Sequence, residues 1–177
     1  MATAAIDHLS TLGAIGADPV LLKSILDGVE SCLTMCDTSA RCVGVSTIPS
    51  REPGEVTGII GVHGDVSGFI TVNMAQAVAR AAVGGLLQDK FAALSPQVID
   101  GVGEITNLIS GGIKKGLSGT PWAFSYVTVP SVIIGNNYQI AYAGGLNFLS
   151  ATFEHENKET LLLSERMLQV AVSLIRL

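Results

Sequence analysis

The sequence predicts an α+β fold in which two related halves share one sheet, with two long helices packed on it. Two stretches with helical apolar spacing, each followed by strand-length apolar segments, indicate this class. A similar five-residue pattern also recurs inside both helices, as Ile25-Leu26-Asp27-Gly28-Val29 and as Val98-Ile99-Asp100-Gly101-Val102. We therefore expect two pseudo-repeated helix-plus-strands halves that form a mostly antiparallel sheet together.

Length and composition favour one folded domain. The chain has 177 residues, enough for a single substantial core, and its 48% hydrophobic and 14% charged content argues against disorder. We expect residues 1–17 to be an N-terminal extension and 18–177 to be the domain, with halves of about 18–90 and 91–177. So few charges leave a poorly charged surface, which favours a homo-oligomer, most simply a homodimer.

Charge and hydropathy argue against nucleic-acid and membrane functions. The net charge is −5 and the chain has no Lys/Arg cluster, whereas a nucleic-acid groove needs concentrated positive charge. Residues 116–153 contain no charged residue, but Pro121, Pro130 and polar residues interrupt the segment, so buried sheet is predicted rather than a membrane span. The N-terminal residues lack the basic lead-in of a secretory signal. We expect a cytoplasmic protein.

The first half begins with a capped helix. Asp18 is predicted as the N-cap, and Pro19 occupies the first helical position. Strands are predicted over 42–48, 56–62 and 68–72, with His63-Gly64-Asp65 forming the turn between the last two. An alanine-rich helix over 74–87, capped by Asn73, is expected to close this half.

The second half repeats the plan. Ser95 and Pro96 begin the second long helix in the same way. Five strands are predicted after it, over 123–129, 132–134, 138–142, 147–153 and 168–174. The charged residues 154–165 are expected to form a long hairpin connection with room for a helical turn.

The three cysteines lie close together in sequence. Cys32 and Cys36 are one helical turn apart, a spacing that suits two metal ligands, but no histidine or second cysteine pair has matching zinc spacing. We therefore interpret Cys32, Cys36 and Cys42 as small core residues in a reducing compartment, and we predict no metal site.

The second long helix has two chemically different faces. At about 100° per residue, its large aliphatic residues fall within about 60° of Val98. These are Val102, Ile105, Ile109 and Ile113. The opposite face carries Asp100, Glu104, Asn107, Gly111 and Lys114. One face is thus predicted to pack and the other to be available for contact.

Glu104 and Asn107 are the candidate functional pair on this polar face. They are three residues apart, so their side chains project side by side. Four glycines surround them, at a cost of about 0.5–1 kcal/mol each relative to alanine. They are Gly101, Gly103, Gly111 and Gly112. Two interpretations remain open: the glycines admit a partner's backbone, or they serve internal packing and the polar pair is merely solvated.

The spacing of these residues resembles a known signature. Asp100, three residues, Glu104, two residues, Asn107, twenty-two residues and Pro130 match the motif of the CheC/CheX/FliY chemotaxis phosphatases. The resemblance extends over about residues 18–177 and implies a CheC-like fold.

The motif occurs only once in the chain. Alignment of the repeated pattern places Ser31 and Thr34 at the positions of Glu104 and Asn107, and a shifted alignment that matches Glu30 places Leu33 at the asparagine position. The chain therefore resembles the CheX-like branch, in which one half carries the motif.

The resemblance implies an enzyme that hydrolyses the aspartyl phosphate of a phosphorylated CheY-like response regulator. Asn107 would position the attacking water, and Glu104 would pair with the active-site lysine of the receiver domain. Asp100 is expected to be an orienting or capping group, Gly111 to support the site, and Pro130 to fix a strand end beside the helix. Lys114 and Lys115 would help to attract the acidic receiver. No cofactor is expected on this chain, because the receiver holds its own Mg²⁺.

Other functions remain open at this point. Flagellar switch proteins share the architecture and bind regulators without hydrolysis, and a CheC-like adaptor would bind a receptor deamidase. The glycine-rich segment 111–116 lacks the residue order of a phosphate-binding loop and lies inside a predicted helix, so nucleotide binding is not expected.

Overall fold

The computed structural model describes residues 16–50, 54–136, 138, 140, 142, 144–157 and 160–177. The helices in this part of the chain are α1 (Pro19–Met35), α2 (Gln76–Leu87) and α3 (Pro96–Leu117). The strands are β1 (Ala40–Ser46), β2 (Val56–Gly64), β3 (Val66–Met74), β4 (Phe124–Val127), β5 (Ser131–Ile134), β6 (Asn147–His155) and β7 (Met167–Arg176). A short 3₁₀ helix (Leu163–Arg166) precedes β7. The predicted α+β class is confirmed.

Both long helices begin at their predicted caps. Oδ1 of Asp18 accepts hydrogen bonds from the backbone N–H groups of Val20 and Leu21, at 2.9 and 3.2 Å. Oγ of Ser95 accepts one from the N–H of Val98 at 3.3 Å. Each side chain thereby satisfies donors that the first helical turn leaves unpaired, which fixes where the helix starts.

The sheet shows how the two halves combine. All strand pairs in the described part of the chain are antiparallel, and the order is β1-β6-β7-β3-β2-β4, with β5 also paired to β2. Strands β1, β2 and β3 of the first half correspond to β4, β6 and β7 of the second half. If each strand is exchanged with its counterpart, the same order is read from the opposite edge of the sheet. Each half therefore contributes its first strand to the edge of the other half, and the prediction of a shared sheet is confirmed.

The main core lies between the helices and one face of the sheet. Its central side chains are less than 2% exposed and come from both layers. They include Ile25, Val29, Ile60, Ile70, Val72, Ile105, Ile109, Val170 and Val172. Burial of this apolar surface is the largest favourable contribution to folding.

The opposite face of the sheet is covered in part by aromatic side chains. The ring of Tyr142 stacks on Phe69 with centroids 5.5 Å apart, and it contacts Phe148 edge-on at 4.8 Å. The hydroxyl of Tyr138 is hydrogen-bonded to Oγ1 of Thr57. The predicted strand over 138–142 is not found at the described positions 138, 140 and 142, and the residues between them lie outside the described part. These tyrosines cover the sheet instead of extending it.

The predicted N-cap of the alanine-rich helix is wrong. Asn73 is a buried residue of β3, and α2 begins later, at Gln76, after Ala75. The Asn73 amide accepts a hydrogen bond from the N–H of Gly54 at 2.6 Å and donates to the carbonyl of Gly54 at 2.9 Å and to Thr57 at 2.7 Å. Because these partners are distant in sequence, local capping preference did not decide its position.

The prediction that the cysteines are core residues is correct for two of them and wrong for the third. Cys32 and Cys36 are buried, but Cys42 is exposed because β1 is an edge strand and a β-bulge interrupts its pairing after Cys42. A hydrogen bond with Cys36 and burial together raise the pKa of Cys32, which keeps that thiol protonated. The same hydrogen bond lowers the pKa of Cys36.

The uncharged segment 116–153 is only partly buried. Large apolar side chains on β4, β5 and the residues between them are exposed: Tyr126, Val127, Val129, Ile133 and Ile134. The prediction of buried sheet is wrong for these residues, because β4 and β5 lie at the edge of the sheet. Among the described residues, no helix has the length and apolar character that crossing a bilayer requires.

The remaining sequence predictions concern the connection and the N-terminus. The predicted hairpin connection over 154–165 is confirmed with slightly different bounds, since β6 continues to His155 and β7 begins at Met167, and the 3₁₀ helix Leu163–Arg166 is the helical turn for which the prediction left room. The predicted extension over 1–17 falls almost entirely outside the described residues.

We predict that Gly58→Ala destabilises the protein by about 1–3 kcal/mol, the usual cost of overpacking a core. A Cβ atom at Gly58 on β2 would lie 1.8 Å from Oγ1 and 2.9 Å from Cβ of Thr106 on α3. Chemical unfolding of Gly58→Ala, Thr106→Ala and the double variant provides the measurement. We expect the double variant to lose less free energy of unfolding than the two single variants lose together. If the two losses simply add, Gly58 and Thr106 are not in contact.

Candidate functional site

The polar face of α3 is open to solvent. Glu104, Asp100 and Gly111 are exposed and Asn107 is half-buried. The predicted apolar stripe on the other side, from Val98 to Ile113, is at most 1% exposed. The two-faced helix expected from sequence is therefore present in the structure.

Glu104 and Asn107 have no competing partner within the protein. Neither side chain forms a hydrogen bond or an ion pair with any other residue that the structure describes, and the same holds for Asp100. The carboxylate and the carboxamide are thus one turn apart on an exposed helix surface, and both are available to an external molecule.

Three close contacts hold α3 in its orientation. Thr106 meets Gly58 on β2, as described above. A Cβ atom at Gly112 would lie 2.7 Å from Cα of Gly28 on α1, and one at Gly101 would lie 2.5 Å from a methyl carbon of Val83 on α2. Of the two interpretations that the sequence left open, internal packing rather than contact with a partner's backbone therefore applies to Gly101 and Gly112.

Pro130 lies beside the N-terminal half of the site. It stands between β4 and β5, which both pair with β2, and its Cγ is 3.8 Å from the position that a Cβ atom of Gly103 would occupy. Because the pyrrolidine ring fixes φ and has no N–H, it suits a break between two short edge strands. Pro130 is thus adjacent to α3, as expected. That it fixes the strand end beside the helix remains a prediction.

Lys114 contacts the protein itself. Its Nζ donates a hydrogen bond to the backbone carbonyl of Ser125 at 2.5 Å, so the side chain reaches from α3 to β4. Lys115 is exposed. Of the two lysines expected to attract an acidic partner, Lys115 is the one whose ammonium makes no hydrogen bond or ion pair with the described residues.

The corresponding surface of α1 lacks a carboxylate and amide pair under either alignment. Ser31 and Thr34 are exposed, and the Thr34 hydroxyl donates to the carbonyl of Glu30 at 2.8 Å. In the shifted alignment Glu30 is exposed but Leu33 is 2% exposed and part of the core. Of the two helix surfaces compared, that of α3 therefore presents such a pair and that of α1 does not.

The site combines a carboxamide with a carboxylate. A carboxamide has both a donor and an acceptor, so it can orient a water molecule, and a carboxylate can pair with a cationic side chain. Among the described residues, no three His, Cys, Asp or Glu side chains are grouped in a way that would hold a metal ion. The arrangement fits chemistry in which another protein supplies the reacting group.

Sequence reasoning missed one feature beside the site. Exposed apolar side chains from Tyr126 to Ile134 belong to the edge strands β4 and β5 and the residues between them, a segment whose Ser125 and Pro130 lie next to α3. An uncharged stretch does not by itself distinguish a central strand from an edge strand, so the sequence contained no clear signal for this surface.

Comparison with solved structures shows the same fold. Chemotaxis protein CheX from Vibrio vulnificus has a TM-score of 0.74 and 20% identity, and the match covers 88% of this chain and 99% of that chain. CheX from Desulfovibrio desulfuricans has a TM-score of 0.70 and 23% identity, with 86% and 98% covered. The CheX-CheY-BeF3-Mg²⁺ complex from Borrelia burgdorferi contains a chain with a TM-score of 0.69 and 21% identity, with 86% and 96% covered.

Comparison with protein families identifies the family. No curated protein sequence matches the chain. The profile of the family described as Chemotaxis phosphatase CheX matches residues 56–154, more than half of the chain. The matched region includes Asp100, Glu104, Asn107, Gly111 and Pro130. The chain belongs to the chemotaxis phosphatase CheX family.

Proposed function

We propose that this protein accelerates hydrolysis of the aspartyl phosphate on a CheY-like response regulator, by inserting Glu104 and Asn107 into the receiver's active site. The observation that carries the proposal is the exposed pair on α3, whose side chains have no partner among the described residues. The family supports a phosphatase, and the Borrelia burgdorferi relative is known in complex with CheY, BeF3 and Mg²⁺.

The proposed mechanism depends on positioning. Phosphoryl transfer to water needs an in-line nucleophile and stabilisation of charge, and little covalent chemistry from the enzyme. The Asn107 carboxamide accepts a hydrogen bond from the attacking water through its oxygen and donates through its NH₂ group to the phosphoryl oxygens. The water attacks phosphorus, the bond to the aspartate oxygen breaks, and the products are inorganic phosphate and the free aspartate.

Glu104 anchors the helix on the receiver. Its carboxylate pairs with the active-site lysine of the receiver, a charge-assisted contact that becomes stronger as the interface excludes water. Asp100, one turn earlier on α3, is an orienting or capping group beside the Glu104 carboxylate. The proposal needs no cofactor on this chain, because the Mg²⁺ that neutralises the phosphoryl group belongs to the receiver.

Location follows from the proposed partner. Response regulators act in the cytoplasm, so the proposal puts this protein there as well. The described cysteines are all free thiols, as expected for a reducing compartment.

Asn107→Ala should remove catalysis and leave binding largely intact, because the amide positions water without anchoring the complex. We expect the acceleration of phosphate release to fall by at least roughly 10²-fold, the scale of lost positioning. The measurement is the lifetime of the phosphorylated receiver with Mg²⁺, together with a binding titration. Thr34→Ala, on the aligned surface of α1, is the matched control. If the wild-type protein binds receivers but leaves the phosphate lifetime unchanged, the chain is a docking module and the enzyme proposal is wrong.

Glu104→Ala should weaken both binding and catalysis. Loss of a charge-assisted hydrogen bond costs about 1.5–3 kcal/mol, which corresponds to roughly a 10- to 100-fold lower affinity for the receiver. Glu104→Gln keeps the shape of the side chain without its charge, so its affinity for the receiver should fall between those of the wild type and Glu104→Ala. The control is Ser31→Ala on α1. Wild-type affinity in Glu104→Ala would show that the carboxylate does not anchor the complex.

A homodimer is part of the same proposal. The exposed apolar side chains of β4 and β5 support it, since these strands do not pair on their far side with any described strand. Light scattering should give twice the mass of the chain, and Val129→Asp combined with Ile134→Asp should give a monomer. Ile48→Asp, at an exposed apolar position near the other edge of the sheet, is the control and should leave the dimer unchanged. A monomeric wild-type protein would contradict the proposal.

A further inference from the structure

Helix α3 contains five glycines, and four of them have neighbours within the protein. Those four are Gly101, Gly103, Gly112 and Gly116. The contacts of the first three are given above. At Gly116 a Cβ atom would lie 2.9 Å from Cβ of Ser24 on α1. The internal packing of the protein therefore accounts for the absence of a side chain at Gly101, Gly112 and Gly116. Gly103 is buried, and a Cβ atom there would make an ordinary contact with Pro130.

Gly111 is the exception. It is exposed, and no heavy atom lies within 4 Å of the position that its Cβ would occupy. Its φ is not in the left-handed region, so the backbone conformation does not demand glycine. Glycine inside a helix is less favourable than alanine because it loses more conformational freedom on folding. Nothing within the described protein compensates for that cost at this position.

The position of Gly111 connects it with the proposed site. It follows Asn107 by four residues and Glu104 by seven, so it lies on the same helix face, about 6 Å along the axis from Asn107. Lys114, one turn further, reaches towards Ser125 on β4. The main chain of α3 is therefore exposed at Gly111, on the same helix face as the Asn107 carboxamide.

We propose that Gly111 is the point at which the receiver's main chain packs directly on α3, an inference that rests on the proposed function. Glycine permits a closer approach of two backbones than any other residue. Direct contact at Gly111 sets the depth to which Asn107 enters the receiver's active site. Gly111 is thus a positioning residue, which acts through Asn107 and not on the phosphoryl group itself.

The test adds side chains of increasing size at this position. Gly111→Ala and Gly111→Leu are titrated against a receiver loaded with beryllofluoride and Mg²⁺, and their kcat/KM for the phosphorylated receiver is measured alongside chemical unfolding. Ser31→Ala and Ser31→Leu, on the exposed surface of α1, are the matched controls and should retain wild-type binding and turnover.

We expect opposite effects on stability and on activity. Gly111→Ala should unfold at a higher denaturant concentration than the wild type and yet bind the receiver more weakly. Gly111→Leu should lose about 10²-fold in kcat/KM, the scale expected for a displacement of about 1 Å at the reacting centre.

Several results would overturn the inference. Wild-type affinity and kcat/KM in Gly111→Leu would show that no receiver backbone packs there, and the proposed function would stand if Asn107→Ala is still inactive. Lower stability in Gly111→Ala would show that the glycine has a role inside the protein. If the wild-type protein binds no receiver, the proposed function and this inference both fail.

Discussion

The contact between α3 and the sheet at Gly58 and Thr106 is the constraint on which the rest of the site depends. The helix approaches the strand so closely that no side chain fits on β2 at this point. With Gly112 against Gly28 on α1 and Gly101 against Val83 on α2, the helix is fixed on three sides. With these three contacts in place, Glu104 is exposed and Asn107 is half-buried on the outer face of α3. An interaction within the core thereby orients the helix face that carries Glu104 and Asn107.

The strand order shows that the candidate site on α3 depends on both halves of the duplicated fold. Each half contributes its first strand to the sheet of the other, so neither half has a complete sheet of its own. The first half supplies strand β2, on which α3 packs, and helix α1, which packs beside α3. Its own helix surface has Ser31 and Thr34 at the aligned positions and presents no carboxylate and amide pair there. Loss of the motif from one half is therefore compatible with retention of the fold.

The sequence predicted those features that depend on nearby residues. The caps at Asp18 and Ser95 and the turn at His63-Gly64-Asp65 follow from local hydrogen bonding and backbone preference. The outward face of α3 follows from helical periodicity alone. The placement of Glu104 and Asn107 on an open surface could thus be predicted without coordinates.

Other features depend on contacts between distant parts of the chain. Asn73 is a good helix cap by type, but Gly54 and Thr57 hold it in β3. Cys42 is exposed because its strand is at an edge, which composition does not reveal. The separate roles of Gly101, Gly111 and Gly112 became distinguishable only when the neighbours of each were known.

The central claim is that the Asn107 carboxamide works inside another protein's active site. A structure of this protein bound to its receiver with beryllofluoride and Mg²⁺ tests it most directly. We expect the Asn107 amide within hydrogen-bonding distance, about 2.7–3.2 Å, of the water or fluoride beside the beryllofluoride-bound aspartate, and Glu104 paired with the receiver's lysine. A complex in which α3 lies away from that aspartate would contradict it.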